Sequence, residues 1–332
     1  DKDNKRLLFR AGYGYSEDQL KLLNNTAFRL DRPDSKGVFI VCLREQKPFL
    51  INDISNIEFD LSIKSLVFAK KLGSRAFLCC PIVAEGKSIG ILAVDNLKST
   101  KPLIKRDMSL LTGIAAVLGI SIRNADLMQS RERQFRSILL ALAASIDARD
   151  PLTSGHSEKV TEHALGICDE LQLSGEYREM IRVAALLHDY GKIGVPDAIL
   201  MKPGKLNTEE YEIVKTHAEK TKRILNQISF EGIYSQVPEI AGCHHEKIDG
   251  SGYPNGLMDG AIPLGAKIIA VADFFEAITA KRHYRNPISL KKAFNMLESE
   301  SGVHFDSNIV DAFFSYYTKI HATETAHLQA VM

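Results

Sequence analysis

The five cysteines, Cys42, Cys79, Cys80, Cys168 and Cys243, are an odd set that follows neither metal-finger nor disulfide spacing. A reducing, cytoplasmic setting is therefore expected. Excess charge is also lacking: 42 Lys and Arg against 41 Asp and Glu leave a formal charge of +1. No general basic field draws the chain to a DNA or RNA polymer or to an anionic membrane, so recognition of phosphate has to be local. Long apolar runs are missing as well. The longest, Leu110 to Ile122, contains Thr112 and Ser121 and ends at Arg123, and its roughly thirteen residues fall short of the ~20 that a spanning helix needs. A buried helix, and no membrane segment, is the expectation. There is no initial Met and no signal-peptide pattern, so the sequence reads as a fragment of a longer chain.

What is present divides into two textures, as 332 residues predict two domains. Up to about Val94 the chain mixes short β-like runs with turn signals. Ala76–Val83 and Ile89–Val94 flank Glu85-Gly86-Lys87 and predict a hairpin. From Arg106 the period becomes helical, with Leu110, Leu111, Ile114, Val117, Leu118 and Ile122 on one face. Residues 119–148 predict a connecting helix without interior Gly or Pro. A seven-residue count along it puts Ser121, Met128, Phe135 and Leu142 at one seam position and Asn124, Arg131, Ile138 and Ser145 at the other. That pattern predicts a parallel homodimer through the N-terminal domain and this helix, the helical seam being marginal alone.

Beyond Ser137 the informative residues are histidines and aspartates in otherwise helical sequence. His156 follows Thr153-Ser154-Gly155, a helix start, and alone reads as a solvated or capping residue. His188-Asp189 ends the apolar run Val183–Leu187. Burying an unpaired carboxylate there costs several kcal/mol, so a cation or dense hydrogen bonding is required. Lys192, alone, reads as a cation near a helix C-terminus. His217 lies in a further helix. Cys243-His244-His245 precedes a loop containing Gly250, Gly252 and Gly256, and Asp273 sits inside the apolar run Ile268–Phe275. Each has an ordinary structural alternative, but those alternatives do not account for them together. Imidazoles and carboxylates converging from several helices are how bundles build dinuclear metal sites. A donor set without thiolate is compatible with iron, manganese, nickel or zinc.

His156, His188-Asp189 and Asp273 resemble the H…HD…D pattern of HD-superfamily phosphohydrolases. His188–Pro196, Lys202-Pro203-Gly204-Lys205-Leu206, His217, His244–Pro254, Ile262-Pro263 and Tyr284-Arg285 resemble the HD-GYP subfamily over residues 137–318. The first 125 residues, through Pro48–Asp53, the hairpin and a closing helix from Arg106, resemble a GAF domain without its opening helix. The resemblance implies an α+β GAF-like domain (1–125), an antiparallel sheet with flanking helices, joined by a long helix to an all-α HD-GYP bundle (137–332). It implies His156, His188, Asp189, His217, His244, His245 and Asp273 as ligands of two divalent transition metals, iron favoured, with Asp189 bridging and catalytic. Lys192 is implied as a catalytic contact to substrate phosphate. Asp249, Gly252, Tyr253 and Pro254 are implied on the nucleotide-binding side, and Arg282 and Arg285 as phosphate contacts. Glu276 stands where the family often has Asp, and Ala280-Lys281-Arg282-His283 replaces Ser-Asp-Arg-Pro. Some members hold a third metal through an extra carboxylate near the first histidine. Here Leu152 precedes His156 by four, with Asp147 and Asp150 further upstream. His163, His283, His304, His321 and His327 are unassigned, although Gly302–Asp306 also matches the family.

The implied activity is hydrolysis of cyclic di-GMP to linear pGpG or GMP by a metal-bridging hydroxide, regulated by a GAF domain with an unknown small ligand. The competing expectations are a catalytically weak cyclic di-GMP receptor, and a phosphohydrolase acting on another cyclic dinucleotide or a nucleotide monophosphate.

Overall fold

The computed structural model describes residues 5–31, 35–57, 63–97, 101–149, 155–280 and 287–321. Asp150, Leu152, Arg282, His283, Arg285 and His327 lie outside the described residues. The chain forms two compact units, Asp1–Glu132 and Arg133–Met332.

In the first unit β1 (Arg6–Leu8), α1 (Glu17–Asn24) and β2 (Ala27–Arg29) come first, the two strands pairing antiparallel with Leu7 opposite Phe28. Then follow α2 (Val38–Glu45), β3 (Phe49–Ile51), α3 (Ile63–Leu72), β4 (Phe77–Ala84) and β5 (Lys87–Asp95). β4 lies between β3 and β5, antiparallel to both, with Cys79 opposite Phe49 and Ala93. The expected hairpin closes through Glu85 and Gly86, whose φ values of 49° and 74° are the positive pair that a two-residue turn needs to match strand twist. Alternation along β4 sorts its side chains. Phe77 and Cys79 pack with Cys42, Ile51 and Ile54 on one face, and Leu78, Cys80 and Ile82 pack on the other against Leu111 and Ala115 of α4 (Lys105–Arg149). The cysteines of this unit are thus core residues.

The 45-residue α4 departs from expectation. Its apolar segment is not buried all round, because a three-stranded sheet covers only one stripe. Leu110, Val117 and Ile120 are 65%, 64% and 62% exposed. By length and composition alone α4 is apolar enough to cross a membrane, a property that core helices of water-soluble proteins share, so the expectation of no membrane segment is not overturned.

The second unit is helical. The last turns of α4 supply Leu139, Ala143 and Ile146, followed by α5 (His156–Glu170), α6 (Gly175–Leu187), α7 (Asp197–Leu200) and α8 (Thr208–Leu225). Then come α9 (Val237–Gly242), α10 (Leu264–Thr279), α11 (Leu290–Glu300) and α12 (Ser307–Ile320). Starts are written in the sequence: Ser174, Asn207 and Asp306 accept backbone N–H groups of α6, α8 and α12, and Glu210 completes a capping box at Asn207. α10 is apolar on nearly every side, with Ile268, Ile269, Val271 and Phe275 buried, and lies inside the core. Phe135 and Leu142, expected on a dimer seam, are partly buried against the core of their own unit, the Phe135 ring 5.8 Å from Tyr234. An apolar side chain takes the nearest dry surface, and here the chain itself provides one.

His163, on α5, is not a surface residue. Its ring meets Phe275 at 5.8 Å and Phe313 at 5.6 Å, and Nδ1 is buried with no hydrogen-bond partner among the described residues. Burial pushes its pKa down to about 4. The folded state therefore disfavours the imidazolium, and stability present above the unfolded pKa of about 6.5 is lost as pH falls toward 4. The shift corresponds to on the order of 3 kcal/mol. His163→Phe is expected to reduce the fall in Tm between pH 7 and pH 4, measured by calorimetry against the unsubstituted protein.

Candidate metal centre

Seven side chains from five segments converge in the second unit. His156 is the first residue of α5, and His188 caps the C-terminus of α6 with Asp189 next to it. His217 lies in α8, His244 and His245 follow α9, and Asp273 lies in α10. His156, His188, Asp189, His217 and His244 are buried.

The helices fix the rings by one device. His188, His217 and His244 each donate Nδ1–H to the carbonyl three residues earlier, that of Ala185, Val214 and Ala241, at 2.7 Å in each case. The tautomer is thereby set and every Nε2 lone pair is turned inward. His156 begins its helix, so α5 supplies no carbonyl three residues before it. Its Nδ1 instead donates to Glu276 Oε2, from one turn beyond Asp273 on α10. Glu276 is thus a buried partner of the site, at a position the sequence marks only as a departure from Asp.

Gly191 brings the turn after Asp189 against α8. A Cβ there would lie 2.0 Å from the His217 carbonyl oxygen and 2.5 Å from the Thr221 nitrogen. Thr221 Oγ1 accepts from Gly191 N–H at 2.8 Å and donates to the His188 carbonyl at 2.9 Å. The chain leaves the α-helix at His188 and continues as a 3-10 turn, Tyr190–Gly194, so Lys192 is not on an extension of α6. Its Nζ nonetheless lies 2.6 Å from Asp189 Oδ2.

Asp189 divides its two oxygens. Oδ2 faces His188 Nε2 at 3.4 Å and His156 Nε2 at 3.6 Å, while Oδ1 faces His217 Nε2 at 3.3 Å and His244 Nε2 at 4.0 Å. His156, His188 and Asp273 form one group with ligand atoms within 4.8 Å of one another, and His217, His244 and His245 form another. The donors fit cations. His217 Nε2 and His244 Nε2 lie 3.4 Å apart, each ring having given its Nδ1–H to a backbone carbonyl, and His188 Nε2 is buried with no hydrogen-bond partner among the described residues. Lone pairs crowded in this way call for positive charge between them.

The titration of the groups agrees. Burial, reinforced by His245 and His188, lowers the pKa of His244 far below the imidazole range; burial and His217 lower that of His245 to about 3. Both are neutral donors. Burial opposes charge on Asp189, but Lys192 and His188 outweigh it and keep the carboxylate ionised. Burial disfavours the His156 cation, yet Asp273 and Glu276 raise its pKa to about 10. His156 Nε2 and Asp273 Oδ1, 3.2 Å apart, mark a place where positive charge is favoured.

The glycine-rich loop folds over its own buried Glu246, whose carboxylate accepts Asn255 N–H at 2.7 Å and Leu257 N–H at 2.8 Å. Gly252 is required there, since a Cβ would lie 2.4 Å from the Lys247 nitrogen. Tyr253 N–H bonds the His245 carbonyl at 3.1 Å, and its ring lies 4.7 Å from His245, with Pro254 following through a cis peptide bond. Asp249 accepts Ser251 N–H and Oγ–H at 2.9 and 2.7 Å and lies 3.5 Å from His304, so it shapes the loop. Asp147 is buried and accepts from Ser157 Oγ at 3.0 Å.

The family model described as HD domain matches residues 141–309. The chain belongs to the HD domain family. A GAF domain model matches residues 9–122. The chain is similar to several curated proteins. A 3'3'-cGAMP-specific phosphodiesterase 2 from Vibrio cholerae serotype O1 is 34% identical over 70% of this chain and 44% of its own length. A cyclic di-GMP phosphodiesterase from Thermotoga maritima is 44% identical over 52% of this chain and 46% of its own. The cyclic di-GMP phosphodiesterase response regulator RpfG of Xanthomonas campestris pv. campestris is 40% identical over 56% and 49%. The chain thus spans about half the length of these relatives.

Two substitutions test what Asp189 and Glu276 contribute. Asp189→Ala is expected to abolish stoichiometric metal binding, measured by elemental analysis of the purified protein. Glu276→Gln is expected to retain the site but weaken metal affinity by about 10- to 100-fold.

Proposed function

We propose that the HD domain is a dinuclear metal-dependent phosphodiesterase acting on a cyclic dinucleotide, with cyclic di-GMP as substrate and pGpG or GMP as product. The observation that carries this reading is Asp189, with one oxygen on each of two histidine groups. Divalent transition metals in such a pair supply Lewis-acid stabilisation of a phosphoryl displacement and draw a nucleophile from water at neutral pH. The seven residues His156, His188, Asp189, His217, His244, His245 and Asp273 are the proposed ligands, and a thiolate-free set of this kind suits iron. Asp147, engaged by Ser157, leaves two ions as the proposal.

Lys192 places its charge beside Asp189 Oδ2, where a phosphate entering the site meets it. Tyr253, buried against His245, walls the nucleotide side, and burial raises its phenol pKa, so the hydroxyl stays protonated. The intact donor set disfavours a receptor with a dead site. A second reading, 3'3'-cGAMP as substrate, is supported by the name of the Vibrio relative. Incubation with both cyclic dinucleotides, followed by product chromatography, tests the two readings together; no product from either overturns the activity.

The GAF domain is proposed to regulate the enzyme through a small ligand. A groove of about 1040 Å³ lined by β1, β2 and β5, with Arg10, Lys87 and Arg123 on its walls, is of ligand size. Five free, buried cysteines support a cytoplasmic setting. A homodimer through α4 is proposed in preference to a membrane-crossing role, since Leu111 and Ala115 already pack on a sheet. Phe135 and Leu142 are partly covered by the core, and the proposed seam extends on the same seven-residue spacing to the exposed Leu110, Ile114 and Val117, through Met128 and Ile138.

Lys192→Ala is expected to lower kcat by about 10²-fold with metal content unchanged; a matching loss of metal would instead make Lys192 a support for Asp189. The unsubstituted protein is expected to be a dimer by light scattering at micromolar concentration, and Val117→Glu with Met128→Glu to yield monomer.

A further inference from the structure

Outside the proposed ligands, α8 carries two side chains with no role in the core. Tyr211 and Lys215 are four residues apart and so share a helical face. Tyr211 is 48% exposed although its ring is apolar. Lys215 Nζ lies 4.9 Å from the centroid of the Tyr211 ring and 5.7 Å from that of Tyr253, and bonds Glu212 at 2.6 Å. Tyr253 in turn lies 4.7 Å from His245 and 6.3 Å from His217. A continuous wall therefore runs from the histidines through Tyr253 and Lys215 to Tyr211, aromatic, cationic and aromatic in order.

We propose that Tyr211 and Lys215 hold the half of a cyclic dinucleotide that is not being cleaved. Tyr211 is the stacking surface for a nucleobase, and Lys215 pairs with the second phosphodiester. This rests on the phosphodiesterase reading, because a substrate anchored by its scissile phosphate at the histidine groups has its other base and phosphate left to place. Stacking is indifferent to base identity, so this wall sets affinity for the dinucleotide class and does not discriminate cyclic di-GMP from 3'3'-cGAMP.

The test uses the full metal-loaded chain, steady-state hydrolysis of cyclic di-GMP, and calorimetric Kd for its phosphorothioate analogue. Tyr211→Ala is expected to raise KM and Kd by about ten-fold, with kcat moving less and metal content unchanged. Tyr211→Phe, which keeps the ring, is expected to restore both. Lys215→Gln is expected to raise Kd and flatten its salt dependence. Kd values within two-fold of the unsubstituted protein for both Tyr211→Ala and Lys215→Gln overturn the proposal while leaving the hydrolytic reading intact. If the unsubstituted protein binds the analogue but releases no product, the hydrolytic reading falls and the Kd comparison still decides this one. Failure to bind the analogue at all overturns both.

Discussion

An ionised carboxylate at the centre of a helical bundle is the constraint around which the second unit is arranged. Asp189 is 5% exposed, and leaving such a group unpaired costs several kcal/mol. Four imidazoles and one ammonium surround it at distances from 2.6 to 4.0 Å. Those partners arrive from α5, α6, α8 and the turn after α9, so the carboxylate cannot be accommodated until all of these segments are in place. Gly191 and Thr221 close the turn that follows Asp189 onto α8. A residue that would destabilise any single helix is tolerated because the assembled bundle supplies its counter-charge.

Hydrophobic burial brings the helices together, while side-chain-to-backbone hydrogen bonds aim the donors. The two act on different scales. Ile181, Ile268 and Ile269, fully buried, hold α6 and α10 in one core. Three Nδ1–carbonyl bonds then orient the rings on that scaffold. His156, at a helix start, takes the same orientation from a carboxylate, which ties α5 to α10 and couples the aim of one donor to the packing of two helices.

Much of this was legible in the residues. His188-Asp189 after an apolar run and Asp273 within one announced buried charge that needed partners, and the structure brings them together. Glu85-Gly86 announced the hairpin, and the free cysteines announced core positions. Other features were not legible because they depend on rotamers and on neighbours distant in sequence. Glu276 is 120 residues from His156, and no local pattern links them. The 3-10 turn carrying Lys192 follows from contact with α8, whereas helical periodicity alone extends α6. The exposed stripe of α4 depends on how many strands the sheet has, and Phe135 and Leu142 fit a seven-residue seam and an internal core equally well.

The backbone-locked imidazoles have a consequence for selectivity among metals. Donors free to move adapt to whichever ion arrives, and affinity then follows the intrinsic order of the first-row divalent ions. Rings pinned to their own helices hold a fixed spacing instead, so an ion that prefers a different arrangement gains less from them, and the fold itself takes part in choosing which metal is held.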